Sequence, residues 1–201
     1  MFLLLLLIGF LGACTVTPIR PSPEKPSVPV VEKPIKTKIK SIFPKQEWTD
    51  YVAELVEERG LNNIPVIDGK EWCADGMKSV DSWVHVVAAM AKRESNFKAA
   101  STYKEGFKDQ KGNWVISTGL MQISLESSRQ SAYGCRDFIT KQSDLINPYN
   151  NLRCSLNILE LWVKRDERVG GYKLGAGRYW SVMRNASSIK KTKAILKDTC
   201  N

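Results

Sequence analysis

The sequence predicts a mainly α-helical domain with a minor β element at most, preceded by a stretch that cannot pack. Three observations carry this. Apolar residues recur at helical spacing in several segments after residue 45, and no segment sustains the alternation of a half-buried strand. The third is composition: 43% of the 201 residues are hydrophobic and six are Trp, enough to bury a core.

Phe2 to Leu11 is almost all Leu, Ile and Phe, with no Lys or Arg ahead of it. A run of roughly ten residues is too short to span a ~30 Å hydrocarbon core as a helix. It fits the apolar region of a signal peptide, expected over residues 1–13. Leu11-Gly12-Ala13-Cys14 resembles a bacterial lipobox, which implies diacylation of the Cys14 sulfur. Thr15 and Val16 follow, with no Asp beside the cysteine, which implies an outer-membrane lipoprotein facing the periplasm.

Residues 14–45 hold seven of the nine prolines, and seven basic residues against two acidic ones. Such a segment should be an extended spacer of about 3 Å per residue, on the order of 90 Å at full stretch. More than half of the formal +9 charge sits in it. The body, residues 46–201, is only mildly basic, so nucleic acid is not an expected partner.

Within that body, Trp48, Tyr51, Val52, Leu55 and Val56 mark a first helix that Gly60 stops. Residues 61–78, with Pro65, Gly69 and Gly76, read as a long loop with room for a short strand. A second helix runs from Ser79 to Arg93, capped by Ser79 or Asp81. It is apolar on most sides, hence central and buried, and His85 within it reads as a core histidine. A polar loop is expected over 98–117, then a third helix from about Leu120 to Ala132. The fourth covers roughly Asn150 to Arg168, with Leu152, Leu156, Leu159, Trp162 and Val163 inward. Shorter helices are expected near Gly177–Arg184 and Ser187–Lys197.

With Cys14 assigned to lipid, Cys73, Cys135, Cys154 and Cys200 remain, an even count that suggests two disulfides in an exported protein. Cys135–Cys154 is favoured because it closes a short loop between two predicted helices, which leaves Cys73 for Cys200. There is no Cys-x-x-Cys and a single His, so neither a zinc site nor a cofactor is expected.

The chemistry is concentrated where the second helix ends, in Arg93-Glu94-Ser95-Asn96-Phe97. A carboxyl closing a core helix is partly desolvated, which keeps it protonated near neutrality, the state a glycosidase requires of its general acid. About twenty residues on comes Ser117-Thr118-Gly119-Leu120-Met121-Gln122-Ile123-Ser124. Then follow Asn147-Pro148-x-x-Asn151-Leu152, and Tyr179 in Arg178-Tyr179-Trp180.

Together these resemble the soluble lytic transglycosylase family, glycoside hydrolase family 23, over about residues 80–185. The resemblance implies a lysozyme-like (SLT-type) α fold with a sugar-binding groove, acting on peptidoglycan glycan strands as a monomer. It implies Glu94 as acid and then base. Ser95 would orient Glu94 or a substrate carbonyl, and Gly119 would let the backbone approach the sugar. Leu120, Met121 and Gln122 would line the site, Tyr179 would bond near Glu94, and Asn151 would cap the fourth helix.

Two departures stand out: a long, partly acidic stretch between Ser101 and Gly119, and Gly175-Ala176-Gly177-Arg178-Tyr179-Trp180 in place of Ala-Tyr-Asn-Ala-Gly. Glu105 and Asp109, in the first departure, are the candidates for a second carboxylate. The readings left open are a lytic transglycosylase making 1,6-anhydro ends, a hydrolase of acetylated or de-N-acetylated glycan, and a non-catalytic wall-binding lipoprotein.

Overall fold

The computed structural model describes residues 39–196. The expected signal peptide, Cys14, most of the expected spacer, and Cys200 with its expected bond to Cys73 lie outside the described residues. Three long helices dominate: α1 (Gln46–Arg59), α3 (Val80–Ser95) and α5 (Pro148–Asp166). Each stops or starts where local chemistry demands. Gly60 follows α1 at φ 63°, and its N–H returns to the last turn. The Ser79 hydroxyl accepts the Ser82 N–H to open α3. Pro148 occupies the first turn of α5 behind Asn147, whose side chain accepts from Tyr149 and Asn150. Asn147, rather than Asn151, is therefore the cap of α5.

Helix α3 is the centre. Every residue from Ser82 to Ala91 is buried, and α1 and α6 (Ala186–Leu196) pack against it. Trp83 is wholly enclosed, its indole N–H donating to the Met77 carbonyl at 2.9 Å. Removing a side chain of that size from a core costs about 3–5 kcal/mol.

Three segments differ from the sequence expectation. Residues 61–78 contain a 3-10 turn (Leu61–Asn63) and a single helical turn, α2 (Gly69–Trp72), and no strand. Asp68 explains why this loop is ordered. Its buried carboxylate accepts the Trp72 indole N–H at 3.1 Å and the Val169 amide at 2.8 Å, tying the loop to the chain beyond α5. The stretch 98–117 is mostly a β-hairpin, β1 (Thr102–Lys108) against β2 (Trp114–Thr118), antiparallel and irregular between Lys104 and Lys108. Finally, no helix spans 120–132. Ile123–Ser124 forms β3 on the far edge of β2, followed by one turn, α4 (Leu125–Ser128), and a 3-10 turn at Ser131–Tyr133. The backbone reason is Gly119 at φ 87° and Gln122 at φ 46°, both outside helical space.

The C-terminal part returns through a two-residue ladder, β4 (Gly170–Gly171) with β5 (Leu174–Gly175), and 3-10 turns at Ala176–Arg178 and Ser181–Met183. Cys135 and Cys154 form a disulfide that joins the segment after the 3-10 turn at Ser131–Tyr133 to α5.

Candidate active site

Glu94 is the penultimate residue of α3, where two successive left-handed residues, Asn96 (φ 52°) and Phe97 (φ 62°), turn the chain out of the helix. The turn is held by the Asn96 N–H on the Lys92 carbonyl at 3.0 Å. One carboxyl oxygen of Glu94, Oε1, is fully enclosed and has no hydrogen-bond partner among the described residues. Burial pushes its pKa up to about 7; the neighbouring Arg93 opposes this, and the charge of Glu105 adds to it. Arg93 compensates poorly because its guanidinium is directed to α6, donating to the Ser188 carbonyl and to Thr192 Oγ1. Near neutrality Glu94 therefore holds a proton about half the time, poised to give or take one.

Glu105 reaches the site from the hairpin. Tyr103 pairs with Ser117 across the ladder, and the Ser117 hydroxyl donates to Glu105 Oε1 at 2.5 Å. Ser117 is buried and Glu105 half-buried, so the bond fixes the carboxylate on the hairpin face that Glu94 senses. Asp109 is placed elsewhere. Its oxygens accept the Lys111 and Asn113 amides at 2.9 and 2.8 Å, closing the tip of the hairpin, and those amide bonds hold its pKa low.

The Gly-Leu-Met-Gln segment forms the tight link between β2 and β3. A Cβ on Gly119 would run into the Asn151 amide and the Leu145 carbonyl, so this glycine serves the packing of α5 against the loop. Leu120 and Met121 are buried. The Met121 carbonyl accepts the Trp180 indole N–H at 2.9 Å, and its amide donates to Asn151. Gln122 turns back on the loop, its amide donating to the carbonyls of Gly119 at 2.8 Å and Ser101 at 3.2 Å. Ser95 is also buried; its hydroxyl donates to Ala91 one turn back, at 3.1 Å. Both polar side chains are thus engaged in holding backbone.

Tyr179 closes the other side. Asp166 at the end of α5 accepts Arg178 Nε at 2.6 Å and a terminal N–H at 2.9 Å, as well as the Gly175 amide at 2.8 Å, which fixes the turn carrying Tyr179. The Tyr179 ring stands edge-on to Tyr133 and Trp180, with centroids 6.1 and 4.8 Å away. Burial pushes its phenol up to about 12 against hydrogen bonding to the Ser127 side chain and Ser124 backbone, with smaller upward contributions from Tyr133 and Glu94. Tyr179 is therefore a neutral hydrogen-bonding group near Glu94 at any working pH.

A family model described as a transglycosylase SLT domain matches residues 74–195, which takes in all of these residues. The chain belongs to the SLT transglycosylase family. Among solved structures it is similar to the wild-type form 2 of a protein titled Bd0314 DslA, at 36% identity and TM-score 0.67, covering 78% of this chain and 92% of that one. Two glutamate-to-glutamine variants of DslA match over the same shares, at 33% identity with TM-score 0.67 and 34% with 0.69. No curated protein is matched. The SLT domain here is a mostly helical, lysozyme-like fold with a small antiparallel sheet, and it is an enzyme of the peptidoglycan glycosidase type. That sets aside the reading as a non-catalytic wall-binding lipoprotein.

The motif residues converge with one residue of the departing stretch: Glu94 feels the charge of Glu105 and Tyr179 that of Glu94, while Met121 and Gln122 sit in the loop that β2, α5 and Trp180 hold. Sequence reasoning did not single out Ser117, Ser124, Ser127 or Tyr133 for roles here. Ser117 had a signal: it lies in Trp114-Val115-Ile116-Ser117-Thr118, a β-rich run whose alternate residues share a face. Ser124 and Ser127 carried none, since the helix expected over Leu120 to Ala132 would have scattered them around its axis, and Tyr133 lay just past its end.

Proposed function

We propose that Glu94 is the single acid/base group that cleaves the β-1,4 bond between the N-acetylmuramyl and N-acetylglucosaminyl residues of peptidoglycan, leaving a 1,6-anhydro end. What carries this is the enclosed, unpartnered Oε1 of Glu94 and its pKa of about 7. The protonated carboxyl donates to the leaving oxygen as an oxocarbenium-like sugar develops. The resulting carboxylate then takes the proton of the sugar's own C6 hydroxyl, whose oxygen closes onto the anomeric carbon. An intramolecular nucleophile has an effective concentration far above any that solution offers, so no second base is required. Tyr179, neutral and beside Glu94, is suited to hold substrate or carboxyl by hydrogen bonding. Mass spectrometry of fragments released from purified wall tests this: anhydro ends are one water lighter than hydrolysed ends. Release of the hydrated form alone would overturn the transglycosylase product.

A second reading is favoured by Glu105. In the DslA variants the two replaced glutamates stand eleven positions apart, the same separation as Glu94 and Glu105 here. A second carboxylate held toward the first supports a hydrolase, with Glu105 guiding water. It also supports preference for de-N-acetylated glycan, since Glu105 would pair with a free sugar ammonium. Rates on acetylated and deacetylated walls, before and after Glu105→Gln, separate these versions.

The reading extends to the cell. Cys14 would carry lipid at the outer membrane, the spacer would let the domain reach the wall, and the enzyme would act as a monomer. Sequence alone supports these points. Fatty-acid labelling lost in Cys14→Ser tests the anchor, and sedimentation of the soluble domain tests the monomer.

A further inference from the structure

Residues 39–45 lead into α1 as a short strap, ahead of the SLT span at 74–195, and none of the roles above uses them. Phe43 is the buried centre of this strap, and both of its backbone polar groups are bonded. The hydroxyl oxygen of Thr49, itself buried on α1, accepts the Phe43 amide at 3.2 Å and the Ile42 amide at 3.1 Å. The Ser41 hydroxyl donates to the Phe43 carbonyl at 2.7 Å. So fixed, the Phe43 ring stands edge-on to Trp48 of α1, with centroids 6.5 Å apart, and to Phe97 at 5.7 Å. Phe97 belongs to the turn that follows Glu94 at the end of α3. We infer that Phe43 is a positioning residue for the reaction: its ring holds Phe97, and with it the turn that keeps the Glu94 carboxyl enclosed. The inference rests on Glu94 being the acid/base group.

The turn needs holding. Asn96 and Phe97 are consecutive left-handed residues that carry side chains, and such residues persist only where their surroundings impose the conformation. Backbone bonding grips the second of them loosely. The Ala91 carbonyl already accepts the Ser95 hydroxyl at 3.1 Å, and the Phe97 amide reaches the same oxygen at 3.5 Å. Arg93 pins α3 to α6 through Ser188 and Thr192, but that bond lies before the turn. The Lys92 ammonium stands 5.5 Å from the Phe97 centroid, yet it sits on the same helix and ties the ring to nothing beyond it. Phe97 also lines a cavity of about 610 Å³ with Ile42, His85 and Leu196, so among the described residues its ring is packed over only part of its surface. Phe43 supplies the link from that ring to α1. Without it the last turn of α3 is free to loosen, and Oε1 of Glu94, which has no hydrogen-bond partner among the described residues to keep it inside, turns toward water.

Steady-state cleavage of purified wall by the full chain and its variants, followed across pH, tests this. Phe43→Ala should lower kcat about 10-fold with KM little changed, well inside the ~10²-fold that a misplacement of about 1 Å can cost. The alkaline limb of kcat/KM should also move to lower pH by about half a pH unit or more, because a better solvated Glu94 gives up its proton sooner. Arg93 on α3, Glu105 on the hairpin and Tyr179 after β5 are the charged or titratable groups that act with Glu94, and these variants leave all three in place. Phe43→Leu keeps apolar bulk without the ring edge. It should show smaller changes in the same direction, and it carries the test if circular dichroism finds the alanine variant unfolded. Leu55→Ala, a buried change elsewhere on α1, should melt lower while keeping kcat and the pH limb. Phe43→Ala/Phe97→Ala should be no slower than Phe97→Ala alone. A folded Phe43 variant with unchanged kcat and pH limb would overturn the proposal. So would equal shifts in Leu55→Ala, which would make the effect general core loss, or additive losses in the double variant. Cleavage retained in Glu94→Gln would instead remove Glu94 from the chemistry, and this role of Phe43 with it.

Discussion

Asn151 of α5 reaches across to Met121: its Oδ1 accepts the Met121 amide at 2.8 Å while its Nδ2 donates to the carbonyls of Thr118 at 2.9 Å and Leu145 at 3.1 Å. Every one of these bonds is buried, so one side chain sets where the loop after β2 runs relative to α5. Asn151→Ala leaves an amide and two carbonyls without partners, at about 1–3 kcal/mol each. Denaturant unfolding should show a loss on the order of 3–5 kcal/mol, and cleavage should fall with it. A loss under about 1 kcal/mol would mean that water replaces the side chain at little cost.

The same contact explains what the sequence did and did not disclose. Helices α1 and α5 were legible because each buries one apolar face, and α3 because it is apolar nearly all round; Val52, Trp83 and Leu156 are buried as their patterns require. The carboxyl at the end of α3 was legible for the same reason. Residues 120–132 misled because Leu120, Met121 and Ile123 are all buried, a pattern helix and loop share, while the deciding facts are the left-handed Gly119 and Gln122. The hairpin hid because β1 is exposed along nearly its whole length, with no buried alternation to betray it. Gly119→Ala tests the point. It demands a left-handed alanine and drives a methyl into Asn151 and Leu145, so a loss of at least 2 kcal/mol is expected, larger than any helix-propensity gain.

Glu94 links catalysis to pH. Its folded pKa of about 7 lies above the ordinary value of 4.5, so the folded chain holds this proton more tightly than the unfolded chain does. The native state carries no penalty below pH 4.5; stability is lost as pH rises from there through about 7, by on the order of 3 kcal/mol in total. Glu94→Gln removes the titration. The variant should lose cleavage by at least 10²-fold, yet melt higher than the unmodified chain at pH 8 and nearly level with it at pH 4.5. Equal melting differences at both pH values would show that Glu94 is not desolvated. The cleavage rate of the unmodified chain should decline above pH 7, as the acid form is depleted.

Glu105 and Ser117 form a unit, so changing either should affect the same step. Ser117→Ala removes the donor at 2.5 Å from Glu105 Oε1 and leaves that carboxylate free to rotate toward solvent. If Glu105 guides water or pairs with a sugar ammonium, Ser117→Ala should reproduce part of the Glu105→Gln defect, about 10-fold or less in kcat, and the double variant should be no worse than Glu105→Gln alone. Additive losses would separate the two residues. Full activity in both variants would leave Glu94 alone in the chemistry, and would favour the anhydro product.

The Cys135–Cys154 disulfide acts on the site through Tyr133. The bond closes a separation of 19 residues, and the Asn157 side chain on α5 donates to the Tyr133 carbonyl at 2.8 Å beside it. The Tyr133 ring in turn stands against Tyr179. Replacing both cysteines by Ser should lower stability by about 3 kcal/mol, the entropy that a loop of this size returns to the unfolded chain. It should also loosen the backing of Tyr179, so kcat should fall even at temperatures where the variant is fully folded. Denaturation midpoints measure the first effect, and steady-state rates well below the melting temperature measure the second. A variant that melts lower yet cleaves at the full rate would show that α5, Asn157 and the aromatic stack hold Tyr133 without the covalent link.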